Sequence, residues 1–269
     1  MNAMILAAGL GTRMRPLTLT TPKPLIPVAG VPLIEHHLVR LANAGIKRVV
    51  INISWLAGQV VETLGDGSRW GLEICYSHEP TPLETAGGIY KALPLLCGGE
   101  QGEDQFLVIN GDVYTEMPLS SLCKLTPSKA HVVLVDNPAH HPKGDFYVSG
   151  DDLDSKARPN GLLPTRQIIS ELPAELAEQQ ESGFLPFTFS GVSVLHCSLF
   201  DELADDEVVG LGALLRAHMA NKSVEASVYR GYWQDVGTLE RLHQLENYLE
   251  QQAATNAAKA ATGDASSWH

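Results

Sequence analysis

Short apolar runs separated by helical periodicity dominate the first half of the chain. Met4–Ala7, Arg48–Ile53, Leu72–Tyr76, Phe106–Ile109 and Val132–Val135 are dense in Val, Ile and Leu, which predicts strands buried on both faces. Between them, Leu33–Ala44 carries helical spacing and stops at Gly45, a residue suited to a helix C-cap. Leu56–Leu64 and Ile89–Leu95 also predict helices. This β-α-β-α alternation predicts an α/β fold with a doubly wound, mainly parallel sheet flanked by helices. Such sheets bind ligands at the carboxyl ends of their strands, so the loops that follow strands are the place to look for chemistry.

Beyond residue 144 the pattern loosens. The stretch 151–186 is polar and proline-bearing, and predicts a small irregular excursion with one short helix near Ala174–Gln180. Regular text resumes with a strand at Phe187–Leu195, a helix at Leu211–Ala220, a strand at Val224–Tyr229 and a last helix at Leu239–Gln251. Ala253 to His269 has little apolar bulk and predicts a disordered tail, leaving 1–252 as one domain. No internal repeat is visible.

Composition adds limits. The 269 residues are 44% hydrophobic and 19% charged, enough for a sizeable core. Lys and Arg total 19 against 31 acids, a net charge of −12, which argues against nucleic acid or an anionic membrane as partner. Phosphate chemistry in such a chain needs a local basic cluster and a bound metal. The N-terminus lacks a basic segment followed by a long apolar one, and no run is long enough to span a membrane, so a cytoplasmic location is expected. Cys75, Cys97, Cys123 and Cys197 are scattered and predict reduced thiols. The His36-His37 and His140-His141 pairs lack metal-ligand spacing.

The most specific text is Leu6-Ala7-Ala8-Gly9-Leu10-Gly11-Thr12-Arg13-Met14-Arg15-Pro16, followed by Pro22-Lys23-Pro24-Leu25. A small-residue, glycine-bearing loop after a strand lets backbone N–H groups approach a phosphate chain or a base, and Arg13 and Lys23 add fixed positive charge. Neither a Walker loop nor a dinucleotide fingerprint is present, because the Gly-Lys-Ser/Thr ending and the third glycine are missing. The string resembles the signature of the sugar-1-phosphate nucleotidyltransferase family, over most of residues 3–240. The resemblance implies a Rossmann-like sheet, Arg13 and Lys23 as catalytic cations, and Ala7, Ala8, Gly9, Gly11 and Thr12 around the nucleotide.

Further segments match the same family pattern. Asn110-Gly111-Asp112 follows an apolar strand, and Trp233-Gln234-Asp235-Val236-Gly237-Thr238 precedes a helix. The resemblance implies Asp112 and Asp235 as Mg²⁺ ligands, while an ordinary turn at Asp112 and a helix cap at Asp235 or Thr238 are the structural alternatives. Glu79 and Thr85 fall in the family's base-reading loop, where a Glu79 carboxylate would accept a base N–H; a solvated loop glutamate is the alternative. Many relatives carry glycine where Glu84 stands. Asn110, Gly144, Asp145 and Ser190 fall where the family contacts the sugar, with a structural role as the alternative for Gly144, Asp145 and Ser190. The Glu-Lys-Pro segment of many relatives is not recognisable.

Within the family, the Pro82-Leu83-Glu84-Thr85-Ala86-Gly87-Gly88 loop and the run Phe189-Ser190-Gly191-Val192 resemble the branch that takes UTP and N-acetylmuramate 1-phosphate. Mannose-1-phosphate guanylyltransferases share a similar base loop and form the alternative branch. A non-catalytic regulatory relative would be expected to lose some of Arg13, Lys23, Asp112 and Asp235, and all are present. The glycine loop and Pro-Lys-Pro string also disfavour a metal-dependent glycosyltransferase. Oligomeric state is not legible.

Overall fold

The computed structural model describes residues 1–98, 104–150, 161–165, 168–170 and 183–262. In chain order the strands and helices begin with β1 (Asn2–Leu6), the β2–β3 ribbon (Pro27–Val28 and Val31–Pro32), α1 (Leu33–Asn43), β4 (Arg48–Ile53) and α2 (Ala57–Leu64). They continue with β5 (Glu73–His78), α3 (Glu84–Leu96), β6 (Gln105–Asn110), β7 (Val113–Thr115), α4 (Leu119–Leu122) and β8 (Ala130–Val135). Strands β9 (Phe146–Ser149), β10 (Leu162–Thr165), β11 (Ile168–Ile169) and β12 (Phe184–His196) follow. The chain closes with α5 (Leu211–Met219), β13 (Val224–Tyr229), β14 (Trp233–Asp235) and α6 (Leu239–Thr262).

One sheet in the order β10-β13-β8-β12-β6-β1-β4-β5 organises these elements. Along this order β5, β4, β1, β6, β8 and β13 run one way, and β12 and β10 oppose them. The sheet is therefore mostly parallel, with antiparallel β12 inserted at its centre. Alternation along each strand splits the core between two faces. Ala3, Ile5, Val49, Ile51, Leu107 and Ile109 pack with α1 and α2, while Met4, Val50, Phe106 and Val108 pack with α3 and α5. A third apolar cluster, including Met14, Val28, Tyr114, Val236 and Leu245, fastens α6 beside the glycine loop.

Three expectations need correction. The excursion at 151–186 is more regular than expected where it is described: β10 extends the main sheet beside β13, and β11 pairs with β9. These strands are too short for periodicity to reveal. The helix expected at Ala174–Gln180 lies outside the described residues. The last helix continues ten residues into the predicted tail, to Thr262. Alanine there sustains a helix by intrinsic propensity without an apolar face, and the Thr255 hydroxyl donates to the Gln251 carbonyl (2.8 Å). Finally, Cys97 and Cys197 are not free thiols but form a disulfide, with Cα atoms 6.5 Å apart. The fold brings them together from 100 residues apart, a pairing that spacing alone cannot show.

Candidate active site

The carboxyl ends of β1, β4 and β6 open onto a cavity of about 370 Å³. Its lining includes Leu6 to Gly9, Gly11 to Arg13, Lys23, Asn52, Glu79, Glu84, Thr85, Asn110, Asp112 and Gly237. The sheet thus gathers the predicted nucleotide residues Ala7, Ala8, Gly9, Gly11, Thr12, Glu79 and Thr85 with Arg13, Lys23 and Asp112. Glycine is demanded by the loop's own fold at position 11, where φ is +61° and a Cβ would lie 2.7 Å from Thr18 Cγ2. At Gly9 a Cβ would meet nothing within 4 Å, so only a ligand could require it.

The floor of the cavity is organised by a residue that carried no motif signal. Asn52, at the end of β4, accepts a hydrogen bond from the Ala7 amide through Oδ1 (2.7 Å). Its Nδ2 donates to Glu79 Oε1, also at 2.7 Å. One amide side chain therefore ties the glycine loop to the base loop. Glu79 is only 2% exposed, which removes the solvated-loop alternative. Its Oε2 accepts from the Leu83 amide at 3.3 Å. Gly88 makes this burial possible, since a Cβ there would lie 2.5 Å from Glu79 Oε1. The only hint in the sequence was a polar residue among the apolar positions of β4.

Thr85 lines the cavity while its hydroxyl accepts from the Leu211 amide (2.6 Å), so it also anchors the start of α5. Glu84 sits at φ +61°, a left-handed backbone that glycine adopts without penalty. That conformation accounts for glycine at this place in relatives.

Asp112 lies in the turn just before β7, and Asp235 ends the neighbouring strand β14. Asp235 pairs with Val113 in the β14–β7 ribbon, and the Val236 amide donates to the Asp112 carbonyl (2.6 Å). Each carboxylate already holds a cation: Lys23 Nζ lies 2.6 Å from Asp112 Oδ2, and Arg241 Nη1 lies 2.7 and 2.5 Å from the two Asp235 oxygens. Asp112 faces the first cavity, whereas Asp235 lines a second cavity of about 550 Å³ with His140, Trp233, Thr238 and Arg241. Thr238 also caps α6, its hydroxyl accepting from the Arg241 amide (3.3 Å), so capping and a role for Asp235 coexist. Among the described residues no cluster of three or more His, Cys, Asp or Glu side chains could hold a metal. Two neighbouring carboxylates that leave the other positions to phosphate oxygens and water fit Mg²⁺, which takes few protein ligands.

The predicted sugar residues are brought together less well. Asn110 lines the first cavity, packed beneath Gly191, where a Cβ would meet its side chain at 2.7 Å. Ser190 is a correction: its hydroxyl is fully buried in a bulge of β12 and donates to the Val133 carbonyl (2.7 Å). Gly144 is another, since its N–H donates to the His141 carbonyl (3.2 Å) and the Phe187 carbonyl lies 2.6 Å from where a Cβ would be. Asp145 accepts from the Phe189 amide (2.8 Å) and lies 3.1 Å from His141 Nε2, which holds the β9–β12 junction. The contacts of Ser190, Gly144 and Asp145 are those of the structural alternative and not of sugar binding. Arg241 and Asn52 were the polar residues it missed.

The fold and the site define a nucleotide-transferring enzyme, and the chain belongs to the nucleotidyl transferase family, whose model matches residues 2–252. It is 43% identical over 252 residues to the N-acetylmuramate alpha-1-phosphate uridylyltransferase of Neisseria meningitidis serogroup B, covering 91% of this chain and 97% of that one. A mannose-1-phosphate guanylyltransferase of Mycobacterium tuberculosis is 42% identical over 121 residues, 45% of this chain and 32% of that one. The solved structure of HddC from Yersinia pseudotuberculosis superposes with a TM-score of 0.66 at 20% identity, covering 92% of this chain and 99% of that one. That likeness supports the fold. No helix among the described residues is long and apolar enough to cross a membrane.

Proposed function

We propose that the protein transfers the uridylyl group of UTP to N-acetylmuramate 1-phosphate, giving UDP-N-acetylmuramate and pyrophosphate for cytoplasmic recycling of cell-wall sugar. The observation that carries this reading is the extent of the likeness. The uridylyltransferase match is 43% identical and runs over 97% of its relative, while the guanylyltransferase matches cover 32% to 69% of theirs, the longest at 29% identity. A buried carboxylate in the cavity agrees with it, because Glu79 can accept the ring N3–H of uracil but opposes the bare N3 acceptor of cytosine.

In this reading the glycine loop and Arg13 receive the triphosphate, and Asn52 and Glu79 orient the base. An oxygen of the sugar phosphate attacks the α-phosphorus in line. The new P–O bond forms as the bond to pyrophosphate breaks, and no side chain becomes covalently attached. Arg13 and Lys23 then act by positioning and by countering the charge that moves to the leaving group. Asp112 and Asp235 would hold Mg²⁺, which when bound supplies charge neutralisation and fixed geometry to the phosphate oxygens. The test is pyrophosphate release from a panel crossing the four NTPs with several sugar 1-phosphates. UTP with N-acetylmuramate 1-phosphate should give the highest kcat/KM. A preference for GTP with mannose 1-phosphate would replace this reading by guanylyl transfer, and retention of configuration at phosphorus would overturn direct displacement.

A further inference from the structure

Arg241 occupies a place that helix electrostatics disfavour. It lies in the first turn of α6, where the unpaired amides already concentrate positive charge. It is nevertheless mostly buried, its side chain 12% exposed, and its position is tightly specified. Nη1 reaches both oxygens of Asp235, and Nε donates to the Thr238 hydroxyl (3.3 Å). Gly237 is shaped around the same group: a Cβ there would lie 2.5 Å from Arg241 Nη2 and 3.2 Å from Arg13 Nη2. Two guanidinium groups therefore converge on Gly237, where a Cβ would crowd both as they stand.

A guanidinium holding both oxygens of Asp235 and a divalent cation on the same carboxylate repel one another at close range. We propose that Arg241 is a positioning residue for the metal site: it holds Asp235 as resting counter-cation and is displaced when a divalent cation binds. This rests on the reading of Asp235 as a metal ligand. Arg241 keeps the carboxylate fixed and neutralised in the metal-free protein, at the expense of metal affinity. The displaced side chain has the second cavity, lined also by Trp233, Gln234 and Gln244, to move into. Lys23 on Asp112 is the parallel arrangement in the turn before β7.

The test is Mg²⁺ binding without nucleotide, measured by calorimetry and by the fluorescence of Trp233, which adjoins Asp235. Wild type, Arg241→Gln, Arg241→Lys and Asp235→Asn are compared after circular dichroism has shown each to be folded. Arg241→Gln should tighten Mg²⁺ binding by three- to tenfold. Arg241→Lys, which keeps the positive charge, should tighten it less, and Asp235→Asn should weaken it at least tenfold. A purely structural arginine would leave affinity unchanged or lower it when removed, and either result in Arg241→Gln, with Asp235→Asn weakened as expected, would overturn the proposal alone. Unchanged binding in Asp235→Asn would instead overturn the metal-ligand reading and the proposal with it. Should Arg241→Gln fail to fold, the Lys variant decides, with unchanged or weaker binding counting against the proposal.

Discussion

Replacing Asn52 by leucine tests the internal link on which the site is built, because the change nearly preserves volume and removes both hydrogen bonds of one amide. The Ala7 bond is neutral and contributes about 1 kcal/mol, and the bond to the Glu79 carboxylate contributes about 1.5–3 kcal/mol. Both bonds are 2.7 Å long and Asn52 is 3% exposed, so solvent replaces neither cheaply. Burying a leucine offsets roughly 1 kcal/mol of this. The net loss is about 1.5–3 kcal/mol, which in a domain of this size lowers Tm by roughly 3–12 °C. Thermal unfolding without nucleotide measures that term, and calorimetric titration with UTP measures the effect on the base pocket. Glu79→Gln in the same background completes a double-mutant cycle. Its amide can still accept from Asn52 but sets an N–H group against the Leu83 amide. The two substitutions should couple by about 1 kcal/mol or more, since they share one bond. Additive effects, or an Asn52→Leu protein with wild-type Tm and UTP affinity, would refute the link.

Other expectations follow from separate parts of the molecule. His37 is buried on α1, and its pKa is lowered to about 4 by burial first and then by the neighbouring His36 and Arg40 charges. The unfolded chain therefore binds a proton below about pH 6.5 that the folded chain refuses, and stability is lost as pH falls from about 6.5 to about 4, by about 3 kcal/mol. Urea unfolding at pH 7.5 and pH 4 should show that extra loss in wild type relative to His37→Leu, and equal losses would count against it. Thiol titration of the denatured, unreduced protein should find Cys75 and Cys123 alone, since Cys97 and Cys197 are paired. Reaction of all four would disprove the bridge, whose closed loop of 100 residues corresponds to about 4–5 kcal/mol of chain entropy. Truncation after Gln252 removes residues that are exposed as far as 257, and activity and Tm should hold. A marked loss of either would show that the end of α6 docks on something.

Legibility divided along physical lines. Runs buried on both faces were readable to the residue at Arg48–Ile53 and Val224–Tyr229, because density of branched apolar side chains is a local property. The direction of β12 was not, since an antiparallel strand buried on both faces has the same composition as a parallel one. The glycine loop, Lys23, Asp112 and Glu79 were legible because each stands in a contiguous string. Asn52 and Arg241 were not, because each acts on partners 27 to 45 and 6 residues away through a geometry that only the folded sheet creates. Ser190 and Gly144 show the converse. A buried hydroxyl that stabilises a strand bulge and a glycine pressed against a carbonyl leave the same trace in sequence as ligand contacts do.

The charge balance of the chain acquires a specific meaning at the site. A net charge of −12 should repel a triphosphate, and a simple remedy would be a pocket of unpaired lysines and arginines. The structure does something different, because Lys23 is held by Asp112 and Arg241 by Asp235. Each pair is close to neutral, so these basic groups are matched by carboxylates within the site itself. Were Asp112 and Asp235 to take a divalent cation, as proposed above, Lys23 would be freed beside the first cavity and Arg241 toward the second. On that proposal metal and nucleotide would support one another's binding, and the support would be reciprocal by thermodynamic necessity. The acidic surface and the phosphate chemistry would then not be in conflict, because positive charge would become free where the substrate requires it.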